Sequence, residues 1–407
     1  MARTFSRVQA AHRRSTPRSD AASDHPSGSP SGGASAVAPQ RAHVEGVGST
    51  PRAWQAEPEM ERDTIQSLLD DAGATRNRDV LADIYRAVHG LSTDGAERLD
   101  LKITRDALKE MRSAYRLFAP YAGVRKVTVF GSARTLTTDP LYDHARGLAG
   151  DLADAGWMVV TGAGPGIMAA ATEGAGADRS LGVTIRLPFE ETSVGPLSGS
   201  DRVVSMKYFF TRKLMLVKES SGFVALPGGF GTLDETLELL TLMQTGKATP
   251  APLVLLDVPG QTFWKGWDAF VTDELVGAGW VSPGDVNLYT ITDDLDEAVA
   301  AIRGFWRNYQ GIRWVGPRLV VRLRGEPTSD EVAALDEEFA DLLLEGSIEA
   351  TGPLGAEVSD GDALHLHRLV LTFDPRKGGR FRELIRAVNG LGSSPPLAAS
   401  DGPPAGA

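Results

Sequence analysis

The 407-residue chain contains no cysteine. That excludes a thiolate nucleophile, a zinc–thiolate site, an iron–sulfur cluster and a disulfide framework. It also suits a reducing compartment, and a cytoplasmic location is expected. Histidine is scarce. Of seven, His12, His25 and His43 fall early and His365 and His367 late, which leaves His89 and His144 in the body of the chain. A Ser-His-Asp triad or a His-rich metal centre has little to draw on, so acid–base work falls to Arg, Lys, Asp, Glu and backbone dipoles. No metal and no cofactor are expected. No run approaches the ~18 apolar residues of a membrane span, so no membrane partner is expected either. Clustered positive charge is also missing. The formal net charge is −11, and residues 1–57 hold seven arginines against Asp20, Asp24, Glu45 and Glu57, leaving −14 for the remainder. Such a body is a poor match for a nucleic acid polymer, whose phosphates need clustered Lys and Arg. A mononucleotide is a different case, because one backbone loop can hold one phosphate.

What is present divides into blocks. Residues 1–57 are rich in Ser, Pro, Gly, Ala and Arg without apolar periodicity. Arginines at 3, 7, 13, 14 and 18 give a trace of transit-sequence character, but no apolar run of signal-peptide length accompanies them. The block is expected to be a disordered, solvated tail. Residues 58–119 read as a helical extension, with Leu101, Leu108, Met111 and Tyr115 on one face. From 120 to 308 short β-rich runs alternate with amphipathic ones: strands at 126–130, 157–161, 182–187, 202–205, 222–226 and 253–256, helices after most of them, and a last helix at 294–306. That alternation predicts an α/β, doubly wound, parallel Rossmann-like sheet. After a linker at 310–316, residues 315–392 read as a small α+β module: strands at 318–323 and 364–373, helices at 329–344 and 380–388. Ser329 is the expected cap of the first of these helices. Residues 393–407 form a second Pro/Gly/Ser-rich tail.

Three glycine-bearing loops follow strands. Gly131-Ser132 lies at the carboxyl end of the first, where small residues let backbone NH groups approach a ligand; an ordinary β–α turn explains it equally. Gly162-Ala163-Gly164-Pro165-Gly166 opens a helix but has neither the dinucleotide spacing nor an acidic residue about 20 positions on, where Arg186 stands instead. A tight turn with close helix–strand packing is its alternative reading. Pro227-Gly228-Gly229-Phe230-Gly231-Thr232-Leu233-Asp234-Glu235 is the strongest signal, since unpaired NH groups and the positive end of a helix dipole converge there on a ready anion site. Thr232 and Glu235 also fit a capping box, which would give Glu235 a purely local role. Upstream, Phe209, Phe210, Leu214 and Val217 read as the core face of a helix. Its Arg212-Lys213 pair either faces solvent or shares the crevice of the third loop.

The Pro-Gly-Gly-x-Gly-Thr-x-x-Glu run, with Arg212-Lys213 at the expected distance before it, resembles the lonely guy (LOG) family of nucleoside 5′-monophosphate phosphoribohydrolases. The likeness extends from about residue 120 to 305. It implies cleavage of the N-glycosidic bond of a nucleoside monophosphate, with Arg212 and Glu235 as the catalytic pair. Substrate contacts would come from Gly131, Ser132, Gly164, Gly166, Glu190, Lys213, Gly228, Gly229, Gly231, Thr232 and Thr241, and a homodimer or higher oligomer is implied. Phe209-Phe210-Thr211 stands where short plant-type members carry Met-His, so AMP is as suitable a substrate as a cytokinin ribotide. Two other readings share the fold: a carrier that binds a nucleotide or pterin-type cofactor without turnover, and an NADP-dependent oxidoreductase using Arg186.

Overall fold

The computed structural model describes residues 59–186 and 195–398. The expected tail 1–57, the end 399–407 and Glu190 lie outside the described residues. The chain divides into two units, one ending at Val88 and one starting at His89. In the first, helix α1 (Glu59–Asp71) and the start of α2 (Arg78–Thr93) share a small core of Ile65, Leu69 and Ala82. Arg78 reaches across the turn to Asp70 at 2.6 Å.

The second unit begins within the last turns of α2 and continues with α3 (Arg98–Phe118). Then come β1 (Lys126–Phe130), α4 (Pro140–Asp154), β2 (Met158–Thr161), α5 (Ile167–Ala175), β3 (Ser180–Ile185), β4 (Val203–Met206), α6 (Phe209–Lys218), β5 (Gly222–Ala225), α7 (Phe230–Gln244) and β6 (Leu253–Leu256). Helix α8 (Phe263–Phe270), β7 (Thr290–Thr292) and α9 (Leu295–Gly304) close the series. All seven strands pair in parallel, in the order β4-β3-β2-β1-β5-β6-β7. The central strands are buried end to end, as helices on both faces require, so their sequences are largely apolar, with Lys126, Thr128 and Thr161 the buried polar exceptions. The expected doubly wound sheet is therefore present. Strand order reverses between β1 and β5, and ligand crevices of such sheets open at the carboxyl ends of strands flanking that point.

A four-stranded antiparallel sheet follows, ordered β10-β11-β9-β8, from β8 (Tyr309–Val315), β9 (Arg318–Leu323), β10 (Leu343–Thr351) and β11 (His367–Phe373). Helices α10 (Ser329–Phe339), α11 (Gly355–Asp360) and α12 (Gly378–Gly390) accompany it. The expected linker at 310–316 is mostly strand, because β8 pairs with β9 along its length. Its start is clasped by Asn389, whose side chain accepts from the amides of Asn308 (2.8 Å) and Tyr309 (2.9 Å). One continuous hydrophobic core runs from the parallel sheet into this module. The cap of α10 is Thr328 rather than Ser329, in a capping box with Glu331. Residues 393–398, expected as tail, are tied down: Ser394 is buried, and Arg307 donates to Pro395 O at 2.8 Å.

Two apolar rows differ from expectation. Leu101, Leu108 and Tyr115 on α3 are exposed, and the face that packs inward is Ala107, Glu110, Ala114 and Phe118. On α6, of the expected core face only Val217 packs against the core; Phe209, Phe210 and Leu214 are exposed while Thr211, Met215 and Leu216 are buried. Periodicity identified the stripes but not what they face. No helix among the described residues is long and apolar enough to cross a membrane.

Candidate functional site

The loops after β1 and β5 meet at the switch point. The Ser132 amide donates to Pro227 O at 3.3 Å, which ties the first loop to the third. Gly131 is forced by packing, since a Cβ there would lie 2.6 Å from the Ile167 side chain. At Gly228 a Cβ would fall 2.2 Å from Thr232 Oγ1 and 3.0 Å from the Ser132 nitrogen. At Gly229 and Gly231 it would meet nothing within 4 Å, so these two border open space.

Helix α7 begins earlier than the capping-box reading requires. Its N-cap is Gly229, with no side-chain cap, and Thr232 sits inside the first turn. Thr232 and Leu233 donate to Gly229 O. The amides of Gly228, Gly229, Phe230 and Gly231 have no acceptor among the described residues. Four free NH groups at the positive end of a 15-residue helix make an anion-binding end. The shift also releases Glu235 from a capping role and places it in the second turn.

Glu235 is 7% exposed, and no hydrogen bond or ion pair engages its carboxylate among the described residues. Burial pushes its pKa up to about 7, against the pull of Arg212 and then Lys213. Arg212 is buried enough that its own pKa falls, a drop that Glu235 partly offsets. Its Nε donates to Val183 O at 3.1 Å, and Gly162 leaves the space its guanidinium fills, since a Cβ at 162 would lie 2.2 Å from Nη2. Arg212 and Glu235 thus approach from neighbouring helices as a loosely coupled pair at the edge of the crevice.

The remaining expected residues divide. Gly164 packs against Met168, and Gly166, at φ +68°, presses on Ser132 O, so backbone geometry and packing account for both glycines. Lys213 is held by Asp234 and Glu238, each at 2.8 Å; burial weakens its charge but these two acids outweigh that and raise its pKa. Thr241 lies on the exposed stripe of α7, nearly three turns past the glycine loop and away from Glu235, with its hydroxyl on Leu237 O at 2.8 Å. Arg186 pairs with Glu110 at 3.4 Å.

Glu110 is the residue sequence reasoning missed. It projects from α3, 5% exposed, and accepts from the amides of Lys207 (2.8 Å) and Tyr208 (3.5 Å) and from Thr211 Oγ1 (2.7 Å). A carboxylate from another helix therefore caps the start of α6, the helix that carries Arg212, where it also complements the dipole. Its one sequence signal is an acid on the inward stripe of α3. Gly162, read as part of a glycine loop, was not expected to make room for Arg212. Among the described residues no group of His, Asp and Glu is arranged to hold a metal ion.

Comparison with known proteins supplies a family. The family model described as possible lysine decarboxylase matches residues 166–302. A cytokinin riboside 5′-monophosphate phosphoribohydrolase of Arabidopsis thaliana is 30% identical over 162 residues, 39% of this chain and 73% of the relative. A second from the same plant is 27% identical over 185 residues, 44% of this chain and 78% of its own length. A probable enzyme of that name from Oryza sativa subsp. japonica is 33% identical over 144 residues, 35% of this chain and 65% of the relative. Among solved structures, the molybdenum cofactor binding protein of Rippkaea orientalis superposes with a TM-score of 0.32 at 21% identity, over 43% of this chain and 93% of its own. The molybdenum cofactor carrier protein of Chlamydomonas reinhardtii gives 0.32 at 23%, over 44% and 96%. Those superpositions are too loose to carry a conclusion. The relatives of one named activity, aligned at 30% identity over 73% of a relative's length, together with the Arg-Lys and Pro-Gly-Gly motifs on adjoining helices, assign this chain to the lonely guy (LOG) family.

Proposed function

We propose that the chain hydrolyses the N-glycosidic bond of a nucleoside 5′-monophosphate, AMP or a cytokinin ribotide-like nucleotide, to free base and ribose 5-phosphate. One observation carries this reading: a buried, unbonded Glu235, with its carboxyl poised at about pH 7, lies in the turn behind an open anion-binding helix end and beside Arg212. The phosphate takes the free amides of residues 228–231 and the Thr232 hydroxyl. The ribose then lies along the first turn of α7, within reach of Glu235. As the C1′–N bond breaks, its electron pair leaves with the base, which takes up a proton, and positive charge grows at C1′. The Glu235 carboxylate stabilises that charge or accepts the proton of the water whose oxygen bonds to C1′. Arg212 neutralises phosphate or assists departure of the base. A cysteine-free chain suits a reducing compartment, and the cytoplasm is the proposed address.

The homodimer belongs to the same proposal. What supports it is the exposed apolar surface of α6 and α7, with Phe209, Phe210, Leu214, Phe230 and Leu237 all exposed and Phe230 93% so. Thr241 shares that stripe.

The test is incubation with AMP, GMP, CMP and a cytokinin ribotide, followed by chromatography for free base. Release from at least one, abolished in Glu235→Gln, is expected. Binding without release from any of them would contradict hydrolysis and favour a carrier.

A further inference from the structure

Far from the crevice, a partly open cavity of about 70 Å³ lies where the end of α7 meets the antiparallel module. Met243, Leu288, Trp314, Phe373 and Phe381 give it a largely apolar wall, and Arg382 of α12 is its one charged lining residue. Met243 is 13 residues beyond Phe230, so the pocket lies about 20 Å along α7 from the glycine loop. A nucleotide in the crevice does not fill it.

Arg382 has no acidic partner among the described residues. Its guanidinium stacks 4.1 Å from the centroid of Phe305, and the charge that bears on it most is that of Arg386. Burial and that like charge push its pKa down to about 9. Phe305 in turn packs against Tyr309, ring centroids 5.2 Å apart, and the wholly buried Tyr309 hydroxyl has no hydrogen-bond partner among the described residues. A guanidinium without an acidic partner at the wall of an aromatic pocket is costly, and the buried, unpaired Tyr309 hydroxyl behind Phe305 offers it no compensation. An anion that reaches Arg382 removes the cost, and a guanidinium matches a carboxylate or phosphate in two-pronged fashion.

We propose that this pocket is a second ligand site, for a small organic anion with a planar apolar body. The body lies against Trp314 and Phe373, and the carboxylate or phosphate head lies on Arg382.

The probes are 2-naphthoate, 2-naphthyl phosphate and the uncharged 2-naphthol, titrated calorimetrically into the full chain with Trp fluorescence read in parallel. One site per chain is expected for at least one anion, bound at least about tenfold more tightly than naphthol. The tighter anion identifies the head group. Arg382→Gln should remove the preference for the anion, and Ala248→Phe, which fills the wall from a partly exposed position, should weaken all three probes. Glu235→Gln should leave binding unchanged, which separates this site from the crevice. Naphthol bound as tightly as either anion, or anion affinity unchanged in both pocket variants, would overturn the proposal.

Discussion

Burial holds the Glu235 carboxyl protonated up to about pH 7, against an ordinary 4.5, so its ionised form is disfavoured by the fold that contains it. The folded state therefore binds more protons than the unfolded state between pH 4.5 and 7, and stability contributed by the protonated carboxyl is lost as pH rises through that window. Glu235→Gln, which mimics the protonated form, should raise the melting temperature above pH 7. The gain corresponds to on the order of 3 kcal/mol and disappears below about pH 4.5. Thermal unfolding at pH 4 and pH 8 measures it, and an equal shift at both would refute the buried-carboxyl account. Because the ionised form is the active one in the proposed reaction, kcat/KM should rise with an inflection near pH 7. Only one part of this was legible in the sequence. The glycine loop marks an anion site, but Thr232-x-x-Glu235 fits a capping box equally well. The choice turned on the helix starting at Phe230, a start that a glycine N-cap permits and no residue pattern announces.

At the scale of elements, β1 and the loops after β1, β2 and β5 could be read almost directly, since buried parallel strands are apolar runs and their turns need glycine. Glu110 could not. A single acid on the inward stripe of α3 has no local motif, and its role depends on α6 arriving nearly a hundred residues later. The same contact makes α3 part of the site rather than an appendage. Glu110→Ala leaves the Lys207 and Tyr208 amides and the Thr211 hydroxyl without their acceptor. It should cost about 2 kcal/mol, in the range for hydrogen bonds to a charged group, and lower base release at least about tenfold by loosening Arg212. Adding Arg212→Ala should reduce turnover little beyond Arg212→Ala alone, because both act through one group. Fully additive losses in that cycle would show that Glu110 does not act through Arg212.

At the scale of the whole molecule, sequence periodicity found the apolar stripes of α3 and α6 but could not say whether they face this chain's core or another surface. Leu101, Leu108, Tyr115, Phe209, Phe210 and Leu214 are exposed, which fits association of two copies across these helices. Leu214→Glu should lower the solution mass by light scattering to that of one chain while leaving the far-ultraviolet circular dichroism unchanged. An unchanged mass would remove α6 from the interface. The module after α9 was expected to be joined by a linker, yet β8 and Asn389 bind it into the shared core. The boundary was invisible because residues 309–315 are half-buried and mixed in polarity. The most direct test of the account is the stoichiometry of products from AMP. Wild type should yield adenine and ribose 5-phosphate in equal amounts, and Glu235→Gln should bind AMP but yield neither. Equal yields from the two proteins, or adenine without ribose 5-phosphate, would contradict it.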